Sequence, residues 1–148
     1  MDCSKIHKAG IVVADTQEFL PVKQSFHAVP PSRFLPFEAA EKTLEQNGKA
    51  LHITAVRSGV GKVNAASAAA FLIAFGADLI LGYGLSGAVH NLRKGETAFG
   101  ESYVEYDFDL SPLGYEAGVK PDQDAWLYHA DPDLMKLALA LYPDVKKC

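Results

Sequence analysis

The chain has 148 residues, 49% hydrophobic and 22% charged, the range of one ordinary soluble domain with a real core, which excludes disordered and fibrous classes. A formal net charge of -4, a pI near 5.7 and fourteen scattered Lys and Arg leave no electrostatic footprint for nucleic acid. Small, neutral or locally anchored ligands are the partners such a surface suits.

The first ten residues, "MDCSKIHKAG", lack the apolar core of a secretory signal. The two cysteines, Cys3 and Cys148, stand at the chain ends, where no disulfide framework is expected, and fit a reducing compartment. These features predict a cytoplasmic location. The short apolar run "AGIVVA" (Ala9 to Ala14) predicts a buried strand, and Asp15-Thr16 after it suits the cap of a helix. Pro21 is awkward for a helix interior, so it is expected in the first turn or two, or at a kink.

Asn47-Gly48 separates two further runs and predicts a type I′ β-hairpin, because Asn and Gly accept the two positive φ angles that such a turn requires. Its second arm, "ALHITAV", is expected to be central in a sheet. "KVNAASAAAFLIAF" has alanine-rich helix character and ends at Gly76, a C-terminal cap. "DLILGYG" then reads as a second buried strand. The apolar stretch from Ala65 to Val89 is cut by Gly76 and Asp78, which suits a helix and a strand rather than a membrane span.

Lys94 to Asp109 is rich in aromatic and β-branched residues and predicts one longer strand. "LSPLGYEAGVKPDQD", punctuated by Pro112, Gly114, Gly118 and Pro121, predicts a surface loop able to carry function. Asp131 caps a last helix that starts at Pro132. Helices alternating with buried strands define an α/β class: a mixed central sheet flanked by helices, here a single domain over residues 1–148.

"RSGVGKVNAA" (Arg57 to Ala66) looks like a phosphate loop and fails the test for one. Val56 stands where a P-loop needs its first glycine, and Val63 follows Lys62 where Ser or Thr would hold magnesium. The dinucleotide fingerprint fails as well, since Asn64 replaces its third glycine. What is left is a strand-to-helix turn in which Gly59 and Gly61 bring backbone close to something, or simply let the helix pack tightly. Lys62 then has no phosphate to hold and is expected as a solvated amine at the start of the helix.

Read together, "AGIVVADTQEFLPV", "SGVGKVNAA", "ADLILGYGLSGAV", "KGE" and "YDFDLSPLGYE" resemble, in order and rough spacing, the nucleoside phosphorylase superfamily. The resemblance is strongest to its hydrolase branch, the 5′-methylthioadenosine/S-adenosylhomocysteine nucleosidases and the futalosine hydrolases. It implies a nucleosidase of purine metabolism and methionine salvage that hydrolyses an N-glycosidic bond. Glu18 matches the glutamate that activates water, chemistry that needs a carboxylate beside an oxocarbenium-like centre. A first-turn glutamate also simply complements a helix dipole.

The same resemblance puts Val60 on the wall of the pocket for the nucleoside's 5′ substituent, and Leu85, Ser86 and Gly87 of "GLSGA" beside the substrate. The family often has serine directly after the first glycine of that turn, where this chain has Leu85; Ser86 is equally a plain turn residue. Leu113 matches an apolar residue that enters the neighbouring subunit's pocket in related dimers, which implies a homodimer. Asp107 and Asp109 match an acidic pair ahead of that loop. No arginine stands in "VVADTQEF" or "LILGYGLSGAV" to clamp phosphate, so water rather than phosphate is the expected nucleophile. His7, His27, His52, His90 and His129 form no ligand motif, and neither a metal nor a cofactor is expected.

The family continues past the position of Cys148, with a Met-Glu pair that grips the ribose and an aspartate that acts as general acid. The resemblance therefore implies an incomplete, C-terminally truncated nucleoside phosphorylase-like domain whose activity needs that remainder. The alternatives are a non-catalytic module that binds a nucleoside or assembles through its sheet edge, a nucleoside phosphorylase and, more remotely, a generic nucleotide-binding protein.

Overall fold

The computed structural model describes residues 5–30, 36–89, 92–121, 123 and 127–148. The chain divides into two compact units, Asp2–Gly87 and Ala88–Cys148.

The N-terminal unit is a five-stranded mixed sheet with a helix on each face. Strand β1 (Lys8–Val13) leads into helix α1 (Thr16–Ser25), followed by β2 (His27–Ala28), β3 (Glu38–Gln46), β4 (Lys49–Arg57), helix α2 (Lys62–Ala74) and β5 (Leu79–Tyr83). Their order across the sheet is β2-β3-β4-β1-β5, with β1 parallel to both β4 and β5.

Alternation along the strands produces two separate cores. On one face Val13 meets Phe19 of α1, Ala40 and Ala55, with Ile11 and Val22 packed against them. On the other, Ala39 and Val56 meet Ala68 and Leu72 of α2, with Val12 and Ile80 alongside. β1 is thus covered on both faces and paired on both edges, which is why "AGIVVA" reads as a continuous apolar run. Gly10 is needed here for room, because a Cβ would lie 2.8 Å from Ile80 Cδ1 and 2.9 Å from Leu72 Cδ1.

The local signals do what their chemistry requires. Asn47 (φ 52°) and Gly48 (φ 74°) join β3 and β4 as a two-residue turn, with Gln46 opposite Lys49. Pro21 lies in the second turn of α1, within the expected range. After α2, Gly76 (φ 86°) closes a Schellman motif: its N–H donates to Ile73 O and that of Ala77 to Leu72 O. Asp78 then accepts the backbone N–H groups of His7 and Lys8 on Oδ2, both at 2.9 Å, clasping the starts of β1 and β5. Those two amides, His7 first, hold its carboxyl below the usual aspartate range.

β5 departs from expectation. It is the outer strand of the described sheet, with Leu81 43% and Tyr83 52% exposed. An apolar strand reads alike whether or not its outer neighbours are present, so composition did not reveal its edge position.

The C-terminal unit is built from short pieces. β6 (Ala98–Phe99) pairs parallel with β9 (Lys146–Lys147), and β7 (Ser102–Val104) pairs antiparallel with β8 (Leu127–His129). The single strand expected from Lys94 to Asp109 is therefore broken. The Tyr103 side chain occupies the space where a Cβ on Gly100 would stand, and the chain turns there. The expected loop follows, with a 3₁₀ turn at Ser111–Leu113 closed by Gly114 in the left-handed region. Lys120 pairs with Glu105 and lies over the rings of Phe108 and Tyr128, 5.2 and 5.7 Å from their centroids. Glu105 raises its pKa. Helix α3 (Pro132–Leu141) starts as expected, with Asp131 Oδ1 accepting from the N–H groups of Asp133 and Leu134. Among the described residues, no helix is long and apolar enough to cross a membrane.

Candidate functional site

Because β4, β1 and β5 run parallel, their last residues stand side by side: Val13 is in register with Arg57 on one flank and Tyr83 on the other. Three turns leave this edge. The connection from β1 enters the helix on one face of the sheet and that from β4 the helix on the other, the divergence beside which open α/β sheets generally bind ligands.

Glu18 stands at this edge, third residue of α1. The capping box explains its place: Asp15 accepts from the N–H of Gln17 at 2.7 Å, and Glu18 Oε2 reaches back to the N–H of Asp15 at 3.1 Å. Its other oxygen, Oε1, accepts the N–H of Leu85 at 2.7 Å, across to the turn after β5. Each carboxylate oxygen thus takes one backbone N–H and keeps a further acceptor position. The contact depends on Gly84, where a Cβ would lie 3.0 Å from both Glu18 oxygens. The sequence marks Gly84 only as the first glycine of the "GLSGA" turn, and nothing in it signals the close approach of Glu18 or the use of the Leu85 amide.

The turn after β4 is tied to the same edge. Ser58, 8% exposed, donates its N–H to Val13 O at 2.8 Å and its hydroxyl to Gly59 O at 2.8 Å. Gly59 (φ 86°) and Gly61 (φ 112°) flank Val60, whose side chain is 73% exposed. The structure therefore brings Glu18, Val60, Leu85, Ser86 and Gly87 into one unit, on the turns of one sheet edge. Leu85 is 88% exposed, and Ser86 and Gly87 are exposed as well.

Leu113 belongs to the other unit, 72% exposed on its 3₁₀ turn. Asp109 accepts the N–H of Ser111 at 2.8 Å, which lowers its pKa and makes it a turn-former. Asp107 is exposed, as is Lys62 at the start of α2. Arg57 gives its Nε–H to Glu38 at 2.8 Å, and Lys23 meets the same carboxylate at 2.5 Å. These two cations, Lys23 first, hold Glu38 below the usual glutamate range. Among the described residues, no three His, Cys, Asp or Glu gather as a metal would require; His90 lies outside those residues.

An α/β sheet with a half-buried carboxylate at the carboxyl ends of its parallel strands defines the class. The pattern of the Phosphorylase superfamily matches residues 8–146, and the chain belongs to that superfamily. It is 41% identical over 83 residues to the 5′-methylthioadenosine/S-adenosylhomocysteine nucleosidase of Staphylococcus carnosus, a match covering 55% of this chain and 36% of that protein. The S-adenosylhomocysteine nucleosidase of Streptococcus pyogenes, solved in complex with 5-methylthiotubericidin, superposes with a TM-score of 0.76 at 26% identity, over 97% of this chain and 61% of that one. The futalosine hydrolase of Helicobacter pylori shares the fold, with a TM-score of 0.76 at 21% identity over 97% and 63% of the two chains. In each case the match spans less than two thirds of the relative.

Proposed function

We propose that these residues form the base-bearing part of a nucleosidase site, which hydrolyses the N-glycosidic bond of a 5′-modified adenosine or a related purine nucleoside. The observation that carries this reading is the Glu18 carboxylate, fixed by the N–H groups of Asp15 and Leu85 at the carboxyl ends of parallel strands. The kinship to nucleosidases supports the substrate class.

In this reading Glu18 takes a proton from water as the water oxygen bonds to the anomeric carbon. The bond to the purine breaks, and the base leaves with the bonding pair and a proton from an acid that the family resemblance assigns beyond residue 148. The negative charge of Glu18 also favours the oxocarbenium-like state before it accepts the proton. Val60, Leu85, Ser86 and Gly87 border the nucleoside. Water is preferred over phosphate because neither "VVADTQEF" nor "LILGYGLSGAV" carries an arginine to clamp an anion.

The reading takes 1–148 as one incomplete domain, supported by a family match that runs through both units. A homodimer, with Leu113 at the neighbour's pocket, and a cytoplasmic location belong to it too.

The test joins residues 1–148 to the C-terminal segment of the Staphylococcus carnosus relative and follows adenine release from 5′-methylthioadenosine. Release is expected, with a loss of about 10² to 10⁴ in rate for Glu18→Gln, the usual worth of a positioned base. Equal rates in both proteins remove Glu18 from the chemistry. Tight nucleoside binding with no release in either favours the non-catalytic module.

A further inference from the structure

The turn between β4 and α2 is fixed more firmly than its exposure requires. Gly61, the residue before α2, gives the helix no side-chain cap. Asn64, in the first turn, neither caps the helix nor points away from it. Its Nδ2 reaches back and donates to Val60 O at 2.8 Å. The amide lies against Gly59 too, where a Cβ would be 3.2 Å from Nδ2. On the other flank Ser58 holds Gly59 O and Val13 O.

Both flanks of Val60 are therefore bonded while its side chain stays 73% exposed. A solvated valine on a surface turn gains nothing from being held at a set place. A valine that meets a ligand does, because a contact made by a fixed group loses less freedom on binding.

We propose that Asn64 is a positioning residue: its side-chain amide holds the Val60 carbonyl, and with it the Val60 side chain, where the 5′ substituent of the nucleoside packs. This inference rests on the nucleosidase reading above and adds to it a determinant of 5′ selectivity. Asn64 touches no reacting atom. Its effect is on which nucleoside is preferred.

Two variants separate the amide's bond from its bulk. Asn64→Asp keeps the shape and, when ionised, replaces the donor by an acceptor. Asn64→Thr offers a hydroxyl, a group that donates to the carbonyl four residues back in helices. Calorimetry on the 148-residue chain with 5′-methylthioadenosine and with adenosine reads the preference between them. The preference for the methylthio nucleoside is expected to fall roughly tenfold in Asn64→Asp, the scale of a small apolar contact in a pocket. Adenosine affinity stays within about twofold, and Asn64→Thr regains part of the preference.

A purely structural role would weaken both nucleosides together, and that result, or an unchanged preference in Asn64→Asp, overturns the proposal. Nucleoside binding by neither the unsubstituted chain nor its variants overturns this inference, while the nucleosidase reading is decided separately by adenine release from the joined protein. NMR of the ligand-free chain tests the hold separately from any ligand: the Asn64 side-chain amide protons are expected to exchange slowly, and exchange as fast as for a solvated amide overturns the proposal whatever the variants do.

Discussion

The two units solve the problem of staying folded in different ways. Every buried residue among those described falls between Ala9 and Leu72, in the N-terminal unit, where one sheet is covered by a helix on each face. The C-terminal unit has two pairs of very short strands and depends on individual bonds: the Asp131 cap, the Lys120–Glu105 pair over two rings, and Lys147 with Glu101 at 3.2 Å. The first unit has the long-range apolar packing that resists local opening, and the second is the one expected to open at lower cost. The candidate base is carried by the first, so its geometry has a scaffold of its own.

Substitutions can break that comparison. Phe19→Ala removes the largest fully buried side chain among the described residues, and a loss of about 3–5 kcal/mol is expected, read from urea unfolding of the N-terminal sheet. A loss under about 1 kcal/mol would mean that the two-sided core does not carry the unit. Gly10→Ala adds a methyl where Ile80 and Leu72 already touch, and about 1–3 kcal/mol of overpacking is expected on the same melt.

Asp131→Ala should cost about 1 kcal/mol through the lost cap of α3, with faster amide exchange along that helix and an unchanged N-terminal sheet. Equal acceleration in both units would show that they unfold together. The smallest effect concerns acid. The folded pKa of Asp78 lies below its unfolded value, so its contribution is present above the ordinary aspartate pKa of about 3.9 and is lost as pH falls through the lowered value. The gap in denaturation midpoint between the unsubstituted chain and Asp78→Asn should be widest near pH 6 and close below about pH 4; a gap that widens in acid would reverse the sign.

The N-terminal unit was the more legible of the two, for physical reasons. Asp15, Asn47-Gly48 and Gly76 act on backbone within a few residues of themselves, so their meaning survives without the rest of the chain. The edge position of β5 and the break at Gly100 depend on which atoms come to lie alongside, and composition carries no record of that. Glu18 was visible through family resemblance and, more plainly, as a first-turn glutamate. Its second partner, the amide of Leu85, is 67 residues away, and the need for glycine at 84 exists only once the carboxylate has arrived there.

β1 also has a kinetic consequence. Its neighbours on the two sides are residues 49–57 and 79–83, so its pairing is completed only by strands much further along the chain. Until the polypeptide has grown past Tyr83, "KAGIVV" lacks one of its two partners, and loop closure over such separations is the entropic cost that slows pairing of this kind.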